Sequence, residues 1–318
     1  MRVHVILINY RTPELTLRAL ESVLADAPPD TRVALVENDS RDGSYETFER
    51  EIAARGWGDR VVLSASARNG GFSYGVNRGA EIALGADPKP DYLYLLNSDA
   101  CVEPGAVGWL VAFLDAHPEV GIAGSYIFGP DGETHRTAFS FPGVASEVES
   151  GFGLGPVTRL LDRWVVSKPV PTVPTRVDWL AGASMMIRRE VFERVGPFDE
   201  NFFLYYEETD FCLRAARAGW PTWYVPASRV EHVGAASTGW KDLSKPRSPW
   251  WFEGRRYYFY KAHGRAYLWA ANWGWLVGHL VWRVRKAVQR RPDFYPPRFL
   301  RDFLRHNFTF RPLPRPRA

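Results

Sequence analysis

A chain of 318 residues, 46% hydrophobic and 24% charged, has the composition of a folded protein and the length for one large or two ordinary domains. Its two cysteines, Cys101 and Cys212, exclude a disulfide framework and a zinc knuckle, and point to a reducing cytoplasm. The net charge of +4 conceals an imbalance: from Lys241 onward 18 Lys/Arg face 4 Asp/Glu, so this end carries +14 and the remainder −10. A basic end beside an acidic body implies two tasks in one chain.

The opening MRVHVILINYRTPE is not expected to be a signal peptide, because its apolar run is short and no small-residue cleavage site follows. VHVILI (3–8), RVALV (32–36), VVLS (61–64) and DYLYLL (91–96) read as buried strands. Between the first two, TPELTLRALESVL predicts a helix with Thr12 as cap and Pro13 at its first position. This alternation implies βαβ crossovers and a mostly parallel sheet, with ligands bound beyond the carboxyl ends of the strands. The segments there are NYRTPE, ENDSRDGS, SARNGGFSYG and NSDACVEP. Gly70, Gly71, Gly75 and Gly79 surround a helix start, suiting either a tight turn or close approach to an anionic ligand, but they do not form GxGxxG. From Phe128 to Thr175 the pattern reads as a loop-rich insertion, and it resumes with ASMMIRREVFERVGPFDENFF.

Three clusters can carry chemistry. Asp99, at the end of a strand, suits a divalent cation bridging a diphosphate, or equally a helix cap. Glu37 and Asn38, just past a strand, can hydrogen-bond a nucleobase edge or simply form a turn. Glu207, Glu208 and Asp210 crowd three acids into four positions after Phe202, Phe203, Tyr205 and Tyr206. A helix N-terminus offsets part of their repulsion. Aromatic walls with a convergent carboxylate suit a sugar site containing a general base, and a solvated helix start is the alternative. Helical spacing places Leu213, Ala216 and Trp220 inward and Arg214 and Arg217 outward. His232 follows another apolar strand; a lone histidine is usually structural, but near Asp99 it can ligate a metal.

After Trp240 the chain is rich in Trp, Tyr and Arg. The low-charge stretch from Ala266 to Trp282 has 17 residues and includes His279, short of the ~20 a membrane span needs. Aromatics beside Arg and Lys suit an interfacial helix on an anionic membrane; the alternatives are packing on the domain or a homodimer contact. Charges flanking a Trp-rich apolar sequence fit a membrane better than a nucleic acid. The tail RPLPRPRA reads as disordered.

Taken in order, VILINYRTPE, LVENDSRDGS, RNGGFSYGVNRG, LYLLNSDACVEPGAV, VDWLAGASMMIRREVFERVGPFDENFFLYYEETDFCLRAARAGW and VEHVGAAS resemble family 2 of the inverting glycosyltransferases, over about residues 1–240. The nearest subgroup is the bacterial rhamnosyltransferase-like enzymes of surface polysaccharide synthesis. The resemblance implies an α/β GT-A fold: a Rossmann-like, mostly parallel sheet with flanking helices. The chain then divides into a catalytic domain, 1–240, and a helical, basic and aromatic membrane-associating region, 241–318.

The resemblance also assigns roles. Glu37 stands where the family has an acid, usually Asp, that binds the nucleotide base. Asn69, Gly70, Gly71 and Asn77 match the loop lining the nucleotide, and Asn9, Asn38, Asn97 and Ser98 are further nucleotide- or donor-binding candidates. Asp99 matches the last acid of the DxD-type metal motif, whose first acid is Asn97 here. His232 matches a histidine that completes the metal site, for Mg²⁺ or Mn²⁺. Trp179 and Gly182 match a segment near donor sugar and acceptor, where Glu207 and Asp210 are also expected. Glu208 matches the general base of the family's ED pair, one methylene longer than the usual Asp. The Q-x-x-R-W of processive members is missing, which implies single addition. The expected reaction moves one sugar from a nucleotide-diphosphate donor, dTDP-rhamnose or a UDP-sugar, to a glycan or lipid-linked acceptor at the inner face of the cell membrane. A sugar nucleotidyltransferase is disfavoured because NYRTPELTL is not a Gly-rich basic loop. The Asn97 and Glu208 departures leave open a sugar- or lipid-binding scaffold without catalysis.

Overall fold

The computed structural model describes residues 2–234, 243–290, 292–293, 295–309 and 312–314. It forms two compact units. The first comprises Met1–Ala138, Pro169–Phe203 and Glu207–Gly239; the second comprises Phe139–Lys168, Leu204–Tyr206 and Trp240–Ala318.

In chain order the elements begin with β1 (Val3–Asn9), α1 (Pro13–Asp26), β2 (Arg32–Glu37), α2 (Ser44–Ala54), β3 (Val61–Ala65), α3 (Gly71–Gly85), β4 (Tyr92–Asn97), β5 (Ala100–Val102), α4 (Ala106–Ala116) and β6 (Ile122–Phe128). They continue with β7 (Ala138–Phe139), α5 (Val144–Phe152), α6 (Gly155–Leu160), β8 (Thr175–Val177), β9 (Trp179–Leu180), β10 (Ser184–Arg188), α7 (Arg189–Val195), α8 (Glu207–Arg217) and β11 (Thr222–His232). Last come α9 (Pro249–His263), α10 (Arg265–Gln289) and α11 (Phe299–Asn307).

The main sheet of the first unit runs β3-β2-β1-β4-β10-β6-β11-β5, with β8 also against β11. Its β3-β2-β1-β4 half is parallel, as the βαβ alternation requires. β10 is antiparallel to both β4 and β6, so the sheet is mixed at its centre. Register aligns Asn9 with Glu37 and Ile8 with Asn97, which brings the polar ends of three strands to one edge. Val5, Leu7, Val33, Leu35, Tyr92 and Tyr94 form the core with Leu20 and Val23 of α1 and Leu110 and Leu114 of α4.

On α3, Gly75 and Gly79 serve packing. A Cβ at these positions would lie 2.7 Å from Ile8 Cγ2 and 2.4 Å from Ile6 Cγ2. Their absence of a side chain seats the helix on β1, so neither glycine is there for a ligand. α1 begins at Pro13 as the sequence predicts, but Thr12 does not cap it through its side chain. Its hydroxyl bonds Asn9 and Ser98 instead.

In the second unit, part of the stretch expected to be loop is helical. α5 lies against α10, and a Cβ at Gly151 would be 2.4 Å from the Trp275 carbonyl oxygen. The glycines that weaken a local helix signal here permit a close helix crossing, so tertiary packing overrides propensity. Phe252, Trp275, Phe299 and Phe303 form the unit's aromatic core. The 266–282 stretch lies within α10, and Leu268, Ala271, Trp275, Leu276, His279 and Trp282 are buried in this unit. Among the described residues no helix is long and apolar enough to cross a membrane. Of the tail 311–318, only 312–314 are described, and they carry no regular structure.

Candidate active site

The site begins where β1 and β2 end. Asn9 is fully buried: its Nδ2 donates to Ser40 Oγ at 3.2 Å, and its Oδ1 accepts from the Thr12 backbone N–H at 3.2 Å and the Thr16 hydroxyl at 2.9 Å. This amide ties β1 to the loops on both sides, and its polar atoms are taken by the protein. Glu37 behaves similarly. Its two oxygens accept from the Asp39 and Ser40 backbone N–H groups at 3.1 and 2.8 Å, fixing a turn in which Asp39 and Arg41 have φ of +56°. Asn38 Nδ2 donates to Asn69 Oδ1 at 3.3 Å and the Gly71 carbonyl at 3.1 Å, leaving a buried Oδ1 without a partner among the described residues. Asn69 Oδ1 also accepts from Gly71 N–H at 3.0 Å. Gly71 has φ +84°, and a Cβ there would lie 2.1 Å from the Phe203 carbonyl oxygen. That oxygen accepts the Phe72 N–H at 2.8 Å. The glycine is required by the protein's own backbone as well as by its left-handed turn.

Asn77 lies apart from these groups in function. Its amide donates to the Phe198 carbonyl at 2.9 Å and Glu200 Oε1 at 3.0 Å, and accepts the Phe198 N–H at 2.9 Å. It pins α3 to the loop before α8, which commits the side chain to structure rather than to a nucleotide.

At the end of β4 the predicted metal residues meet. The antiparallel pairing of β5 with β11 aligns His232 with Ala100, next to Asp99. His232 Nε2 lies 3.0 Å from Asp99 Oδ1 and 3.3 Å from Asn97 Nδ2. Asp99 and His232 are mostly buried yet accessible, at 10% and 16% side-chain exposure. Ser98 faces Thr12, with the two hydroxyls 3.2 Å apart. Among the described residues no group of three His, Cys, Asp or Glu side chains is arranged to hold an ion. A carboxylate and an imidazole in contact nevertheless fit a hard divalent cation whose other ligands are water and a diphosphate. The His135 ring lies 6.1 Å from that of His232, a neighbour hidden in sequence by the irregular segment that carries it.

The acidic stretch forms the first turn of α8. Glu207 is 4% exposed and Glu208 is half-buried, and each has a buried Oε2 without a hydrogen-bond partner among the described residues. Glu208 Oε1 faces the Gly182 backbone, which favours its charged form. A Cβ at Gly182 would be 3.8 Å from Glu208 Oε1 and 3.6 Å from the Phe72 ring. Burial raises the pKa of Glu208 above the usual carboxylate value, while its own backbone and that of Gly182 oppose the shift. Glu207 is pushed well above its usual value, first by burial and then by the neighbouring Glu208 charge. Tyr205 and Tyr206, immediately before this pair, have φ of +72° and +71°, a conformation costly for non-glycine residues.

A short hydrogen-bonded path links the two parts of the site. Ala183, next to Gly182, accepts the backbone N–H of Asn97 at 3.1 Å, and Asn97 contacts His232. Glu208 of α8 thus lies against Gly182, whose neighbour Ala183 is bonded to the strand end that carries Asp99. Trp179 is half-buried on β9, three residues before Gly182.

Other expectations need correction. Asp210 is buried and paired with Arg214 Nε at 2.9 Å, and Arg214 also donates to the Val195 and Pro197 carbonyls. This network turns Arg214 inward rather than out. Phe211, Cys212 and Ala215 form the buried face, whereas Ala216 is exposed and Leu213 and Trp220 are half-buried. Phe211 stacks on Phe198 with centroids 4.4 Å apart, which sets the helix's rotation. Phe202 is a core residue, not a pocket wall.

With this geometry in hand, comparison with known proteins is direct. The sequence profile of glycosyltransferase-like family 2 matches residues 2–252. The chain is 28% identical over 301 residues to N-acetylglucosaminyl-diphospho-decaprenol L-rhamnosyltransferase of Mycobacterium tuberculosis (strain H37Rv), covering 90% of this chain and 94% of that protein. It is 24% identical over 236 residues to rhamnosyltransferase WbbL of Escherichia coli K12, covering 72% and 83%. Among solved structures, mannosyltransferase PcManGT from Pyrobaculum calidifontis in complex with GDP-Man and Mn²⁺ superposes with TM-score 0.58 at 18% identity, covering 90% of this chain and 75% of that one. GalNAc-T7 with UDP, GalNAc and Mn²⁺ gives TM-score 0.58 at 19% identity and covers 84% of this chain, which spans about half (51%) of that structure. The chain belongs to glycosyltransferase-like family 2, and it is a glycosyltransferase of GT-A fold.

Proposed function

We propose that the chain is an inverting, single-addition transferase in which Glu208 is the general base. The observation that carries this reading is a buried carboxylate oxygen with no partner among the described residues, beside Gly182, whose neighbour Ala183 bonds the Asn97 end that carries Asp99 and His232. A polar atom buried without a partner is costly, and a site that receives a substrate hydroxyl supplies the missing partner. Glu208 accepts the acceptor hydroxyl's proton as the oxygen attacks the anomeric carbon. The bond to the diphosphate breaks from the opposite face, so one displacement inverts configuration. A positioned base contributes about 10²–10⁴-fold. The raised affinity of Glu208 for a proton brings its basicity closer to working pH.

Asp99 and His232 would hold Mg²⁺ or Mn²⁺, which when bound neutralises the diphosphate leaving group. The Mn²⁺ in the PcManGT and GalNAc-T7 structures supports this assignment. Glu37, Asn38 and Asn69 line the nucleotide end, where the buried Asn38 Oδ1 is the acceptor left for a base N–H. Asn9, Asn77, Gly71 and Ser98 act by holding the loops. Trp179 and Gly182 face the sugar and acceptor, with Glu207 beside Glu208.

The rhamnosyltransferase activities of the two relatives support a rhamnosyl donor and a lipid-linked diphospho-sugar acceptor for bacterial surface polysaccharide. We therefore infer dTDP-rhamnose as donor and work at the inner face of the cell membrane. The test is to incubate the protein with nucleotide sugars, Mn²⁺ and an acceptor-lipid analogue, and to follow acceptor-dependent nucleoside diphosphate release and product anomeric configuration. Inverted product from dTDP-rhamnose is expected. Pyrophosphate release would indicate a nucleotidyltransferase, and binding without turnover a scaffold; either result overturns the reading.

A further inference from the structure

α10 is apolar on two faces. One is the buried face described above. The other is a stripe formed by Trp273, Val277, Leu280, Val281, Val284 and Val288, all exposed, from 42% at Val281 to 79% at Val288. Their spacing is that of one helix face, running about 22 Å along the axis. Residues Leu280, Val281, Val284, Arg285 and Val288 shape its C-terminal end into an apolar groove of ≈ 520 Å³. A contiguous apolar surface of this kind marks an interaction site.

The charges beside it identify the partner. No Asp or Glu occurs between Glu253 and Asp293. Arg265 and Arg283 project along one flank of the stripe by helical phase and Arg285 along the other, while Arg290 caps the C-terminal end of the helix. Arg285 holds the Gly153 carbonyl through Nη2 at 2.8 Å. Lys286 lies on the far side, paired with Asp293. An apolar strip with cations on both shoulders, and an aromatic toward one end, matches the boundary between acyl chains and anionic headgroups. Two copies of α10 packed by a two-fold axis would bring arginine against arginine with no acid on either helix to separate them. Nucleic acid would find apolar side chains at the centre of its footprint.

We propose that the 273–288 face of α10 is the surface that docks on an anionic lipid bilayer, lying in its interface with the groove taking acyl chain. The inference rests on the lipid-linked acceptor reading only for its choice of context. It is tested without sugar donor, so the two fail separately.

The experiment is co-sedimentation of the full chain with phosphatidylcholine vesicles, with and without phosphatidylglycerol, alongside sedimentation equilibrium of the protein alone. Wild type is expected to partition onto phosphatidylglycerol vesicles. Val277→Glu with Val284→Glu should weaken partitioning by at least about tenfold, since two charges enter the apolar face. Arg283→Gln with Arg290→Gln should weaken it less, with a shallower dependence on phosphatidylglycerol content. All four positions are exposed, so thermal midpoints and the shift produced by nucleoside diphosphate with Mn²⁺ should stay at wild type. Equal binding to neutral vesicles, no vesicle binding by wild type, or a self-association abolished by the Val277 and Val284 changes would each overturn the proposal.

Discussion

In the second unit the guanidinium of Arg255 is fully buried, and all three of its nitrogens have acceptors. Nε and Nη2 donate to the Glu147 carboxylate, the latter at 2.8 Å, and Nη1 donates to Asn272 and Asn307, both at 2.7 Å. In the first unit Glu207 is buried and Glu208 half-buried; they adjoin each other, and each keeps a buried oxygen without a partner among the described residues. Buried charge that is fully bonded holds helices together; buried charge left incomplete is unfavourable for the fold and is retained where chemistry uses it. The two clusters differ in hydrogen-bond completeness.

Four changes probe this contrast, from the largest expected effect down. Glu208→Gln should lower turnover about 10²–10⁴-fold while nucleotide binding and thermal midpoint hold, measured by steady-state transfer and thermal shift. Glu147→Ala should do the reverse: it strands Arg255 and costs about 3–5 kcal/mol of stability in denaturant titration. Gly71→Ala should cost about 1–3 kcal/mol, because alanine is strained at φ +84° and its Cβ meets the Phe203 carbonyl oxygen.

Glu207→Gln should have the smallest effect and the opposite sign. The folded-state pKa of Glu207 lies above the unfolded value, so the native state binds more protons between the two. The associated stability is fully present below the unfolded pKa and is lost as pH rises through the folded one. The glutamine variant should therefore melt slightly higher than wild type at pH 7 and lose the difference in acid. A lower melting temperature at pH 7 would mean that the pair is a satisfied structural feature.

Much of the first unit was legible because its strands are unbroken apolar runs and α1 starts at Pro13. The parallel half-sheet follows from that alternation, and the adjacency of Asp99 to His232 follows once β11 pairs with β5. The roles of the polar side chains were harder to read. Asn9 and Asn77 look alike in sequence to ligand-binding residues, yet they are bonded to groups remote in the chain, Ser40 for Asn9 and Phe198 and Glu200 for Asn77. No local pattern reveals that Phe198 occupies Asn77 or that Arg214 is held by the Val195 and Pro197 carbonyls. The rotation of α8 was misread because an Arg–Asp pair and a ring stack outweigh simple hydrophobic phase. The helices of 144–160 were hidden because glycines that disfavour a lone helix are what tight packing on α10 requires.

The central claim, that Glu208 takes the proton of the acceptor hydroxyl, is tested most directly by the pH dependence of transfer at saturating donor. The rate should fall as pH drops through an acid limb lying above 4.5, the ordinary value from which Glu208 is raised, and that limb should vanish from the residual rate of Glu208→Gln. A wild-type rate that stays flat through and below 4.5, or a glutamine variant that keeps both the limb and near-normal turnover, would contradict it.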